Sequence, residues 1–305
     1  MKKIVLIIIL LINFQAIAIS RFYDEDEDCD ACGCSANGGS LGFSSLLNKN
    51  FVGVRYFHQS YSSKDGLYNN SPWVKERFNT VQLWSKIPIA KRFQLVAIVP
   101  FQFHNNDKSS GAQAITGIGD ISVAGTYTLL EKFSEESFSH NLEIGAGLKL
   151  PTGKYDATIN GTVNPSFQVG TGSYDALLLL EYTMFKEKFG WNTALSYNLK
   201  SENKEKYQFG DQFNYSSALF YTTNINNMKL IPQLGISGEV FQKNKQFGET
   251  LRDTKGDVLF TKIGLEIGIN KLGIGISGML PISQNLTGRK VESNYRLSLN
   301  LNYNI

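Results

Sequence analysis

The stretch LSLNLNYNI, Leu297 to Ile305, decides the fold. Leu297, Leu299, Leu301, Tyr303 and Ile305 fall on one side of a strand, and Ser298, Asn300, Asn302 and Asn304 on the other. Strand side chains alternate with a period of two, so each set owns one face of a sheet. Chain ends fray unless something pairs them. An alternating strand at the very end therefore points to a sheet that closes by joining its last strand to its first. Behind a secretion signal, that ending is expected of an outer-membrane β-barrel.

The signal lies in residues 1–18. Lys2 and Lys3 precede an apolar run from Ile4 to Leu11, and Ala16-Ile17-Ala18 supplies a small-residue cleavage site. A retained membrane helix would need about 20 apolar residues, and Asn13 and Gln15 interrupt this one. Cys29 lies eleven residues past Ala18, too far for a lipid anchor at the cleavage point. Removing the two lysines takes the formal charge from +3 to +1. That balance excludes the basic stripe a nucleic-acid binder needs. The expected organisation is a signal over 1–18, an acidic cysteine-bearing periplasmic segment over 19–49, and one barrel over 50–305.

Working outward from the C-terminus, alternation recurs near 51–58, 78–88, 92–103, 118–130, 140–150, 174–185, 190–200, 211–224, 228–240, 257–269, 272–281 and 293–305. Twelve strands joined in sequence make an up-and-down antiparallel barrel. The odd-numbered links are long (59–77, 104–117, 151–173, 201–210, 241–256, 282–292), and the even-numbered ones are mostly short, such as 89–91, 186–189 and 270–271. Long extracellular loops opposite short periplasmic turns are how such barrels are built, whereas a Greek-key sandwich does not sort its loops by parity. With an even count, both termini are expected in the periplasm.

The two faces differ in chemistry. Val52, Val54, Tyr56, Leu195, Tyr197, Leu199, Leu272, Ile274 and Ile276 carry no charge and are assigned to lipid. Glu143, Lys149, Glu181, Glu239, Lys262, Glu266 and Arg296 share the opposite face and are expected to line the lumen, because a basic residue facing lipid at mid-membrane costs about 2–4 kcal/mol. Gly145, Gly147, Gly264, Gly268, Gly273 and Gly275 on that face relieve crowding where the wall curves, or else leave space for a permeant. Pro100, Pro151 and Pro281 are expected at strand ends, where ladder pairing stops. Trp84 falls on the lumen face, within stacking reach of an aromatic solute. His58, His104 and His140 are isolated, and no nucleophile sits in a strand–elbow–helix setting, so no enzyme is expected.

All three cysteines fall within Cys29, Cys32 and Cys34, next to six carboxylates over Asp24–Asp30. CxxCxC can wrap a soft cation such as Cu(I) or Zn(II), which the acids would concentrate but whose thiolates they would disfavour. In an oxidising compartment a short disulfide is the competing reading, and a solvated acidic tail is a third.

Leu150-Pro151-Thr152-Gly153, Gly117-Ile118-Gly119-Asp120 and Gly170-Thr171-Gly172-Ser173 with Asp175 resemble bacterial outer-membrane transporters grouped with the phenol meta-cleavage pathway transport proteins. The CDACGCS opening at Cys29–Ser35, followed by Gly38-Gly39, resembles the Bacteroidetes branch of that group. The resemblance implies a pore for small, hydrophobic or aromatic molecules. Its motifs are short and mark turns. The expected partners are outer-membrane lipid, a small-molecule permeant and the barrel-assembly machinery through the C-terminal strand, with no nucleic acid and no cofactor beyond that soft metal ion. The competing functions are a metal-binding barrel using the cysteines and a plugged structural barrel.

Overall fold

The computed structural model describes residues 45–305 except Asn48, 65–69, 109–110, 135–136, 156–157 and 160–161. The signal and the cysteine segment therefore lie outside the described residues. Twelve wall strands follow one another. They are β1 (Phe51–Lys64), β2 (Trp73–Ala90), β3 (Phe93–Lys108), β4 (broken into Gly111–Ile118 and Ile121–Lys132), β5 (Ser139–Leu150) and β6 (Asp175–Lys186). The circuit continues through β7 (Phe189–Lys200), β8 (Gln212–Tyr221, with Thr223–Ile225 beyond a break), β9 (Met228–Phe241), β10 (Gly256–Ile269), β11 (Leu272–Leu286) and β12 (Val291–Asn304). Each pairs antiparallel with its chain neighbours, and β12 returns to β1 with Phe51 opposite Asn304 and Val54 opposite Leu301. The closing strand is the stretch whose alternation decides the fold.

Alternation places the side chains as the faces predict. On β12, Leu297, Leu299 and Leu301 are about half exposed to the outside, while Arg296, Ser298 and Asn302 are buried. Leu299→Arg should lower folding stability in liposomes by about 2–4 kcal/mol, read from urea titrations. Ser298→Arg, facing inward, would not pay that lipid penalty.

Several strands overrun their expected ends. The links expected at 59–77, 104–117 and 282–292 shrink to 65–72, 109–110 and 287–290, whereas 151–174, 201–211 and 242–255 stay long. Apart from Trp73 at the edge, the outward residues of the overrun are polar: Ser60, Ser62 and Lys64 on β1, and Lys75 and Arg77 on β2. Hydrophobic alternation stops where the wall leaves the apolar belt, although the ladder continues. Two prolines also depart from expectation. Pro100 sits inside β3, opposite Gln82, and its carbonyl accepts the Gly119 amide at 2.8 Å beside the break in β4. Pro281 sits inside β11, next to the bulge between Leu259 and Phe260. Proline lacks a donor, so it settles where the ladder is already irregular, and strand ends are only one such place. Pro151 does follow the last residue of β5.

Candidate functional site

The seven charged residues expected on the inner face are all turned into the barrel, and six of them enter specific pairings there. Near the long-loop end, the Arg296 guanidinium grips Glu239 at 2.6 and 2.9 Å and donates to the Tyr61 hydroxyl at 2.6 Å, with Phe260 beneath it at 4.4 Å. Nearer the short turns, Lys86 pairs with Glu143 at 2.5 Å. Glu181 stands directly opposite Glu143 on the neighbouring strand and accepts from Asn192 Nδ2 at 2.8 Å. Lys262 shares a face with Glu266, which receives Gln233 Nε2 at 2.9 Å. Lys149 belongs to a separate cluster.

That cluster gathers the three glycine motifs. Lys149 Nζ lies 3.0 Å from Asp120 and 2.6 Å from Asp175, and all three side chains are almost fully buried. Asp120 also accepts the Thr171 amide and hydroxyl, each at 2.8 Å, and the Gly153 amide at 3.0 Å. Ser173 donates to Asp175 at 2.8 Å. Thr152 bridges the break in β4, donating to the Gly119 carbonyl and accepting from the Ile121 amide. Each of these donors offsets part of the cost of burying the Asp120 carboxylate. Sequence reasoning misses Asp120, Thr171 and Asp175 as site residues, because their motifs read only as turn markers. The available signal is a lone acid in or beside two of these glycine-rich turns.

The cluster ties down the 151–174 connection, which folds into the barrel. Gly153 and Gly170 cross so closely that a Cβ on Gly170 would lie 2.5 Å from the Gly153 backbone. The same Cβ would lie 2.7 Å from Asp120 Oδ1, so Gly170→Ala should displace this loop and disturb its tie to the carboxylate, and loop proteolysis in intact membranes should speed up. Beyond the crossing, Phe167 is buried among Phe78, Tyr61, Phe241 and Phe260, filling the outer half of the bore. Tyr155 packs with Tyr207 and Phe209, and burial pushes its phenol pKa up to about 12.

Below that apolar layer lies a small cavity of about 40 Å³. Lys86, Glu143, Glu181, Thr126, Ser196 and Asn214 contribute its polar lining, with Val96, Leu179 and Ala194 between them. Trp84 is not available to a solute. Its ring is covered by the Arg55 guanidinium at 4.2 Å and by Phe51 at 4.3 Å. The histidines stay apart, His58 and His140 on the outer wall and His104 inside. No group of three or more potential metal ligands occurs among the described residues, and Cys29, Cys32 and Cys34 lie outside them.

A closed antiparallel wall with an apolar exterior and an ion-paired interior defines an integral outer-membrane β-barrel. Residues 41–286 match the profile of the family described as "Putative MetA-pathway of phenol degradation", and the chain belongs to that family. An outer membrane channel from Pseudomonas putida F1 superposes with a TM-score of 0.65 at 15% identity, over 86% of this chain and 98% of that one. The β domain of the Bordetella autotransporter BrkA gives 0.49 at 8% identity, over 85% and 100%. The translocator domain of NalP from Neisseria meningitidis gives 0.48 at 9%, over 85% and 90%. At such identities the likeness concerns the fold. No curated protein matches the chain.

Proposed function

We propose that the barrel is a passive channel for small molecules across the outer membrane, with its short turns and both termini in the periplasm. The supporting observation is the interior cavity, where Glu143 and Glu181 face each other, one of them paired with Lys86, among hydroxyl, amide and short apolar side chains. Like charges set directly opposite are a cost to the sheet, and a pore wall is a reason to keep them. The mixed lining suits a compact amphipathic solute such as a hydroxylated aromatic ring, in keeping with the phenol pathway in the family's description. The 151–174 loop and Phe167 form the resting outer barrier. The C-terminal strand, which closes the wall, is the segment offered to the assembly machinery, and the chemistry performed is transfer, not catalysis.

Single-channel recording of the refolded protein tests this, with small steady currents expected. Charged side chains set the local ion concentration in a narrow pore. In a salt gradient, Lys86→Met should move the reversal potential towards cation preference and Glu181→Gln towards anion preference. Absence of current in native protein and in variants that free the loop would end the channel reading.

A further inference from the structure

The lipid-facing wall is hollowed over the short-turn half of β7 to β12, where an apolar groove of about 810 Å³ opens on the outside. Its upper edge is a single row in which Leu219, Leu234, Ile263, Gly278 and Leu297 stand opposite one another on successive strands. Towards the short turns its lining continues through Phe189, Tyr221, Pro232, Leu265 and Ile276. Gly278 is the gap in the row. An added Cβ there would meet Leu297 at 3.6 Å, an ordinary contact, so the position has room for a side chain and carries none. Pro232 faces outward where pairing between β8 and β9 lapses beyond Phe220 and Gln233. Paired residues line up at right angles to their strands, and strands of such barrels tilt by about 35–45°. From β7 to β12 the row crosses five spacings of about 4.8 Å, so it runs about 24 Å and climbs about 15 Å. That climb is half of a hydrocarbon core about 30 Å thick, the depth of one leaflet. It starts at Phe189, the first residue of β7, and ends at Leu297, well inside β12. At the foot, Phe189 and Tyr221 pack with ring centroids 4.9 Å apart. Along that part of the rim Lys186, Lys188, Lys229 and Lys271 outnumber Glu187.

We propose that this groove is a binding site for an acyl chain of an anionic phospholipid in the short-turn leaflet, with the lipid's phosphate seated on the basic rim at Lys188 and Lys271. Position and charge together select the occupant. The groove lies within the apolar belt, spans the depth of one leaflet and begins at a cationic edge, which are the proportions of a lipid with its headgroup at the surface. Bases at a membrane surface attract anionic headgroups, and an aromatic pair beside them sits where tail meets headgroup. A second copy of the chain is the poorer fit. Two copies related by a two-fold axis along the membrane normal would set basic rim against basic rim. The site is independent of what crosses the lumen, so it does not rest on the channel reading.

The test uses the full chain in vesicles of phosphatidylethanolamine and phosphatidylglycerol, with a trace of phosphatidylglycerol bearing a diazirine midway along one acyl chain. After irradiation, adducts mapped by peptide mass spectrometry should concentrate on Leu219, Leu234 and Ile263, several-fold above Leu83, Phe101 and Leu148, which are equally exposed on the rest of the wall. Gly278→Leu fills the gap and should bring the groove down to the level of that wall, with heat-shifted migration on gels confirming a folded barrel. Lys188→Gln with Lys271→Gln should lower labelling in the groove alone. Even labelling all round the native wall would mean bulk lipid and overturn the site. Groove labelling undiminished by loss of the two lysines would overturn the seat of the phosphate. A groove without adducts, in a protein that amine cross-linking joins in pairs, would assign the face to a second copy and overturn the lipid.

Discussion

Lys149→Met should both destabilise the barrel and open its outer mouth. Lys149 is the cation that bridges Asp120 and Asp175, so its loss leaves two carboxylates buried and facing each other. Removing one partner of a buried pair costs about 3–5 kcal/mol, and here the cheapest escape is for the 151–174 loop to swing out and let water reach the acids. The urea midpoint should fall, and conductance should rise in the same variant. Asp120→Asn with Asp175→Asn and Lys149→Met removes all three charges and should recover most of the stability. Its loop keeps fewer ties, so conductance should stay above native. Closed currents in Lys149→Met would show that the loop is held by Phe167 and its apolar neighbours alone.

Arg296→Met should be as damaging to stability and silent for gating. Arg296 is buried, clamps Glu239 with two hydrogen bonds and donates to Tyr61. Truncation strands Glu239 in the same apolar layer, again at about 3–5 kcal/mol. Arg296→Met with Glu239→Leu should restore most of the loss, because a paired charge replaced on both sides by apolar groups is close to neutral. Neither variant frees the 151–174 loop, so resting conductance should match native. Heat-shifted migration on gels and urea titration in liposomes read the first effect, and bilayer recording the second.

The wall is legible in the sequence because its physics is local. Lipid outside and close packing inside impose a period of two, and Leu142, Ile144, Ala146 and Leu148 display it within seven residues. The inward set is legible for the same reason, since Glu143 and Lys149 interrupt an apolar pattern. What each charge touches is not. Lys149 meets Asp120 across one strand pair and Thr171 across a folded loop, and nothing local in the sequence records that meeting. The overrunning strands escape sequence reading because their outward residues face water beyond the belt, where alternation carries no transfer energy. The face of Trp84 can be read from its position, but its neighbour cannot, because Arg55 lies on the adjoining strand and reaches over it.

The seam between β1 and β12 has a kinetic consequence. The hydrogen bond from Arg296 to Tyr61 joins residues 235 apart in sequence, and every rung of that seam has a similar separation. Such contacts are made last, after the loop entropy of nearly the whole chain has been spent, and proteins dominated by them fold slowly. Until then the wall hangs as a ribbon with two unpaired edges, each a template for a stranger's strand. The barrel therefore matures all at once, on the arrival of its final strand. A chain truncated just before Tyr295 should behave as an aggregate-prone open sheet, not as the leaky but otherwise intact pore that so small a deletion would suggest.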